Sequence, residues 1–163
     1  MTKSLKRAIP IVILILPLLL FHKAVTGSSV IVSGDFSGSD LLDLNYPFKA
    51  ILKKAISQGH LPLWEPNLSL GFPVLAEGQI GAFYPINILL TFLPAHVALN
   101  YSIIGSFMQA GFWMFIYARS LKRSSFSAFI TAITFMFSAF FVVRAKHVNM
   151  IASAAWIPFL FWA

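Results

Sequence analysis

The strongest constraint on this chain is a run without charge. From Ile80 to Ala118 there is no formally charged residue, and a second uncharged stretch fills Ser124–Val143. A helix of about 20 apolar residues covers the roughly 30 Å of bilayer hydrocarbon. With 58% hydrophobic and 10% charged residues and a mean hydropathy of +0.82, the 163-residue chain is more apolar than a soluble domain of its size requires. The expected class is an all-α integral membrane protein, a polytopic helical bundle.

The few charges are sorted along the chain. The formal net charge is +7, but the basic residues cluster at the ends of apolar runs, where they orient membrane helices, so nucleic acid is not an expected partner. All five acids, Asp35, Asp40, Asp43, Glu65 and Glu77, fall in one segment. The chain has no cysteine, which excludes a disulfide framework and a thiolate metal site.

Lys3, Lys6 and Arg7 precede an apolar run from Ala8 to Phe21, which Lys23 can extend by snorkelling to about Val25. The run reads as a first span over residues 8–25. The alternative is a signal peptide ending near "AVTGSS". Either way, residues 24–79 form a large external loop. Within it, Phe48, Ile51, Leu52, Ala55 and Ile56 follow helical spacing, with Lys49, Lys53 and Lys54 off the stripe, Pro47 at the start and Gly59 at the stop. This predicts a juxtamembrane amphipathic helix over 47–58, lying flat with its apolar face in lipid. "LPLWEPNLSLGFPVLAEGQ" is a turn-rich loop, with Trp64 as an interfacial anchor.

Arg119, Lys122 and Arg123 mark a cytoplasmic loop, so an odd number of crossings must precede it. Ala98–Ala118 is therefore one span, and residues 80–97 are an interfacial or re-entrant segment. Residues 124–143 return outward, and 148–163 begin another span. The sequence stops inside that apolar run, which leads to the expectation that the chain is the front part of a longer protein.

This topology places Asp35, Asp40 and Asp43 on the same outer face as Arg144, Lys146 and His147. A carboxylate at a membrane surface can orient or deprotonate an acceptor hydroxyl. Clustered cations beside headgroups can hold a phosphate. Together they meet the needs of group transfer from a lipid-phosphate carrier. The bland readings are solvated loop acids, an Asp43 that caps the 47–58 helix, and snorkelling anchors at Arg144 and Lys146. His22, His60 and His96 lack metal-ligand spacing and read as structural.

"SDLLDLNYPFK", "GHLPLWEPNLSLGFPVLAEGQ", "FYPINILLTFLP" and "FSAFFVVRAKHVNMIASAAWIPFLF", in this order, resemble the YfhO-type bacterial membrane proteins from about Gly34 to the end. These are similar to the GT-C glycosyltransferases. The resemblance implies a transferase of the cytoplasmic membrane that takes a sugar from a polyprenyl-phosphate donor and passes it to an envelope acceptor at the outer face. It implies an essential acid in the first external loop, matched best by Asp40, with Asp43 as the rival. It also matches His147, beside Arg144 and Lys146, to a histidine after the third span. Leu44 and Asn45 stand where a polar Gln often follows in that family. No cofactor beyond the lipid-linked donor is implied, and metal dependence is open. Two other readings remain: a transporter or flippase of a lipid-linked or anionic solute, and a non-catalytic envelope assembly partner. The lack of charge, Pro and Gly in Ser124–Val143 weighs against the transporter.

Overall fold

The computed structural model of the chain describes residues 3–31, 40–68 and 70–163. Among these residues every regular element is helical, and the one β-type feature is an isolated antiparallel bridge between Glu65 and Phe72. One stretch, Ser125–Lys146, is long and apolar enough to cross a membrane; Ala8–Leu20 and Val148–Trp162 are shorter apolar helices.

The bundle is organised around its longest helix, α5 (Ala95–Ser120), whose 26 residues extend about 39 Å at 1.5 Å per residue. Before it come α1 (Lys3–Leu20), the short α2 (His22–Val25), α3 (Tyr46–Ser57) and α4 (Pro85–Leu90). After it come α6 (Ser125–Met136), α7 (Ala139–Val143), α8 (Val148–Ala154) and α9 (Ile157–Trp162). Helices α1, α3, α6, α8 and α9 all pack on α5. Leu99, Ile103, Phe107 and Ala110 of α5 are fully buried. The ring of Phe107 meets Phe21, Phe137 and Phe141 at centroid distances of 5.4, 5.8 and 5.7 Å.

Small residues set how closely the helices approach. A Cβ at Gly111 would strike the Met136 sulfur and lie 2.8 Å from Ile13 Cγ2, so α1 and α6 both close on α5 at this glycine. Ala128 and Ala132 of α6 are fully buried in the same core. Close approach through small residues is how apolar helices gain packing where lipid tails compete with side chains.

Asn100 fastens the first loop to this core. Its side chain is completely buried; Nδ2 donates to the carbonyls of Ala24 (3.1 Å) and Ser29 (2.8 Å), and Oδ1 accepts from the Ile31 N–H (3.0 Å). Tyr101 adds a hydroxyl donation to Val25 O.

Several expectations need correction. Helix α3 covers the expected stretch, but its apolar face is not open to lipid. Phe48, Leu52, Val74, Ile80 and Ala82 form a second buried cluster, so the chain's own loop covers the face, and Lys49, expected beside the stripe, is buried with it. The Ser124–Val143 run keeps its membrane-crossing length within Ser125–Lys146, but its helix is interrupted. It breaks at Phe137–Ser138, where Ser138 is extended (ψ 157°), without any Pro or Gly. The helix through Ala8 stops at Leu20 and resumes at His22, and the 148–163 run breaks between Ala154 and Ile157.

Candidate functional site

Asp40 opens a π-helical turn, Leu41–Asn45, that leads directly into α3. Fully buried Leu41 anchors this turn in the main core. Such wide turns are uncommon and recur at functional positions. On the other side, a 3₁₀ turn, Arg144–Lys146, ends at His147, which precedes α8. The two turns meet: His147 Nε2 lies 3.1 Å from Asp40 Oδ2. Asn45 ties the turns together, with Nδ2 donating to Asp40 O at 2.9 Å and reaching Lys146 O at 3.5 Å.

The pair is asymmetric. The Asp40 side chain is 55% exposed, whereas that of His147 is 19% exposed, and the His147 Nδ1 is buried without a partner. Asp40 can therefore reach an incoming group while the imidazole holds one of its oxygens from the protein side. Asp43 is exposed on the same turn with no partner among the described residues. Arg144 is exposed and Lys146 half-buried, and neither is paired with a carboxylate among those residues. Asp35 lies outside them.

The remaining acids have local work. The Glu65 carboxylate accepts from the Asn67 N–H (3.0 Å) and the Asn67 amide (2.8 Å), and these bonds hold its pKa below the ordinary value. Glu77 caps the turn Gly78–Ile80 by accepting from Gln79 N–H. Trp64 packs its indole over Gly71, whose φ of +100° and lack of a Cβ the contact requires.

Beside the Asp40–His147 pair is a cavity of about 240 Å³. Asn45, from the turn that holds Asp40, lines it, as do Val148 and Asn149, which directly follow His147. Its floor comes from α3 through Phe48 and Lys49, from the 78–87 segment, and from Ser102 of α5, with Trp156 at the α8–α9 junction. Lys49 is the one charged residue among the described residues that line it. Its Nζ donates to Asn87 Oδ1, and burial pushes its pKa down to about 8. Asn87 is the local hub: its Nδ2 donates to Gly81 O at 3.0 Å and its Oδ1 also accepts from Ser102 Oγ at 3.4 Å. Trp156 Nε1 donates to Tyr84 OH, which donates to Gln109 Oε1, each at 3.2 Å.

Sequence reasoning singled out Asp40 and His147, which come together, and missed Lys49, Asn87, Asn100, Tyr84 and Trp156. A signal existed for some of these. Asn45, Lys49 and Leu52 share a helical face, and Asn87 and Asn100 are isolated amides inside an uncharged run. Among the described residues no group of three or more His, Asp or Glu is placed to hold a metal ion. No family model, curated protein or solved structure matches the chain.

Proposed function

We propose that this chain is a polytopic membrane glycosyltransferase-like protein of the GT-C type, acting at the outer face on a polyprenyl-phosphate-linked sugar. The observation that carries this reading is the Asp40–His147 contact, next to a cavity lined with amides and aromatic rings. Asp40 serves as the general base toward an acceptor hydroxyl, and His147 orients it. Arg144 and Lys146, on the adjoining turn, stand where they can neutralise the donor phosphate. Amide groups suit sugar hydroxyls, and the rings of Tyr84 and Trp156 suit the C–H face of a sugar. The exposed apolar residues Phe83, Leu89 and Phe92 support an interfacial position for the 80–97 segment.

The test is transfer from radiolabelled polyprenyl-phosphate sugars in membranes. Asp40→Asn keeps the shape and removes the base, so turnover should fall by about 10²–10⁴-fold. Near-normal transfer by Asp40→Asn at equal membrane abundance removes Asp40 from this role. The break at Phe137–Ser138 favours a second reading, a carrier of a lipid-linked or anionic solute, since broken helices are common in carriers. Counterflow in proteoliposomes that survives Asp40→Asn would select it.

A further inference from the structure

We infer that the cavity around Lys49 is a binding site for a phosphate ester of a sugar or polyol, with the Lys49 ammonium meeting the phosphate. Four observations converge on it. Lys49 is only 9% exposed, and among the described residues no carboxylate pairs with it. A buried ammonium without a counter-charge is costly, and an arriving anion relieves that cost. Among the described residues the single polar contact of Nζ is the neutral Asn87 Oδ1, so its other two protons are available there. Around it, the amides of Asn45, Gln79 and Asn149 also bond within the protein, Asn45 Nδ2 to Asp40 O, Gln79 Nε2 to Glu77 Oε1 and Asn149 Nδ2 to Gln79 Oε1, and their remaining protons and lone pairs serve hydroxyl groups, while Phe48 and Trp156 supply apolar walls. A purely neutral sugar would leave the ammonium unmatched.

The site is separate from Arg144 and Lys146, neither of which lines the cavity. The inference deepens the transfer reading, on which it rests for placing a sugar in this cavity, by adding Lys49 as a phosphate contact. The phosphate can come from a soluble sugar phosphate or from a lipid headgroup, and the ammonium sees the same oxyanion in either.

The experiment is calorimetric titration of the protein in phosphatidylcholine nanodiscs with three probes: glucose 1-phosphate, short-chain phosphatidylglycerol below its micelle concentration, and glucose. The wild type should bind at least one phosphate probe about tenfold or more tightly than glucose, the scale of a hydrogen bond to a charged group. Preference for the soluble probe or for the lipid probe identifies the source. Lys49→Met should weaken that binding by a similar factor. Asn87→Asp places a carboxylate against the ammonium and should weaken it likewise without removing the lysine. Retention of the fold is read from gel filtration and near-ultraviolet circular dichroism. Phosphate binding no tighter than glucose in the wild type, or undiminished in either folded variant, overturns the site. Loss of transfer by Asp40→Asn with phosphate binding intact separates this inference from the catalytic one.

Discussion

Lys49 shows how one buried side chain ties stability to ligand recognition. Its pKa lies near 8 in the folded chain, against an ordinary value of 10.5. Between those values the unfolded chain binds more protons than the folded one, so the Lys49 contribution to stability rises with pH across that window. Below pH 8 both states are protonated and the full penalty is present. Lys49→Met removes it, so the variant should be more stable than wild type at pH 7 by on the order of 3 kcal/mol. That advantage should shrink toward pH 10, where wild-type Lys49 is largely neutral. Thermal unfolding in detergent at both pH values measures this, because the other titrating groups are common to both proteins; an equal difference at the two pH values would count against it. Asn100 is the opposite case, a buried polar group with every bond made. Asn100→Ala strands the Ser29 carbonyl and the Ile31 N–H, while the Ala24 carbonyl keeps the Gly27 N–H, and should cost about 2–3 kcal/mol with selective proteolytic exposure of residues 24–31. Cleavage in that loop at the wild-type rate would remove its role as a clasp.

At the scale of elements, packing rather than periodicity decides where each helix faces. Phe48 and Leu52 of α3 are 3% and 2% exposed because Val74, Ile80 and Ala82 cover them. Leu52→Ala should therefore destabilise the 46–82 region by about 2–5 kcal/mol, as expected for a core truncation. A side chain facing lipid would change little, so protease resistance of the 46–82 region tells the two apart. Helix α5 depends on closeness: Gly111→Val drives a branched side chain against Met136 and Ile13, and overpacking of this kind costs typically 1–3 kcal/mol. Much of this was legible from the sequence. The spacing of Phe48, Ile51, Leu52 and Ala55, with Pro47 and Gly59 as stops, predicts a helix where α3 lies. The same spacing is silent on what covers the stripe, since a lipid surface and a protein loop demand the same pattern. The break at Phe137–Ser138 left no mark either, because neither residue is a helix breaker by type. For the site, gathered acids pointed to Asp40, and its partner His147 came from the charge pattern and the family resemblance. Lys49 could not be read as buried, because its burial depends on contacts with the 78–87 segment and α5.

Across the whole molecule, charge and helix direction line up. Ile13 meets Gly111 near the far end of α5, while the Ala24 carbonyl bonds Asn100 near its start, so α1 runs antiparallel to α5. The positions of Lys3, Lys6 and Arg7 thus fall at the same end as Arg119, Lys122 and Arg123, and no acid among the described residues lies at that end. The Asp40–His147 contact fixes the other end, where the turns before α3 and α8 meet. For a bundle inserted in a membrane, this charge pattern leads us to predict that the basic end stays cytoplasmic and the site end faces outward. The length of α5 separates the two ends by about 39 Å, more than the hydrocarbon thickness. Because the chain has no cysteine, single replacements report without background. Ser57→Cys, exposed at the end of α3, should react with an impermeant maleimide in intact cells. Ser120→Cys, exposed at the end of α5, should react only after the membrane is opened. The reverse pattern would place Asp40 and the Lys49 cavity on the cytoplasmic side, away from any external lipid-linked donor. Labelling of both positions in intact cells would mean that α5 does not separate two compartments, and the bundle would have to be reread as one lying on a single side of the membrane.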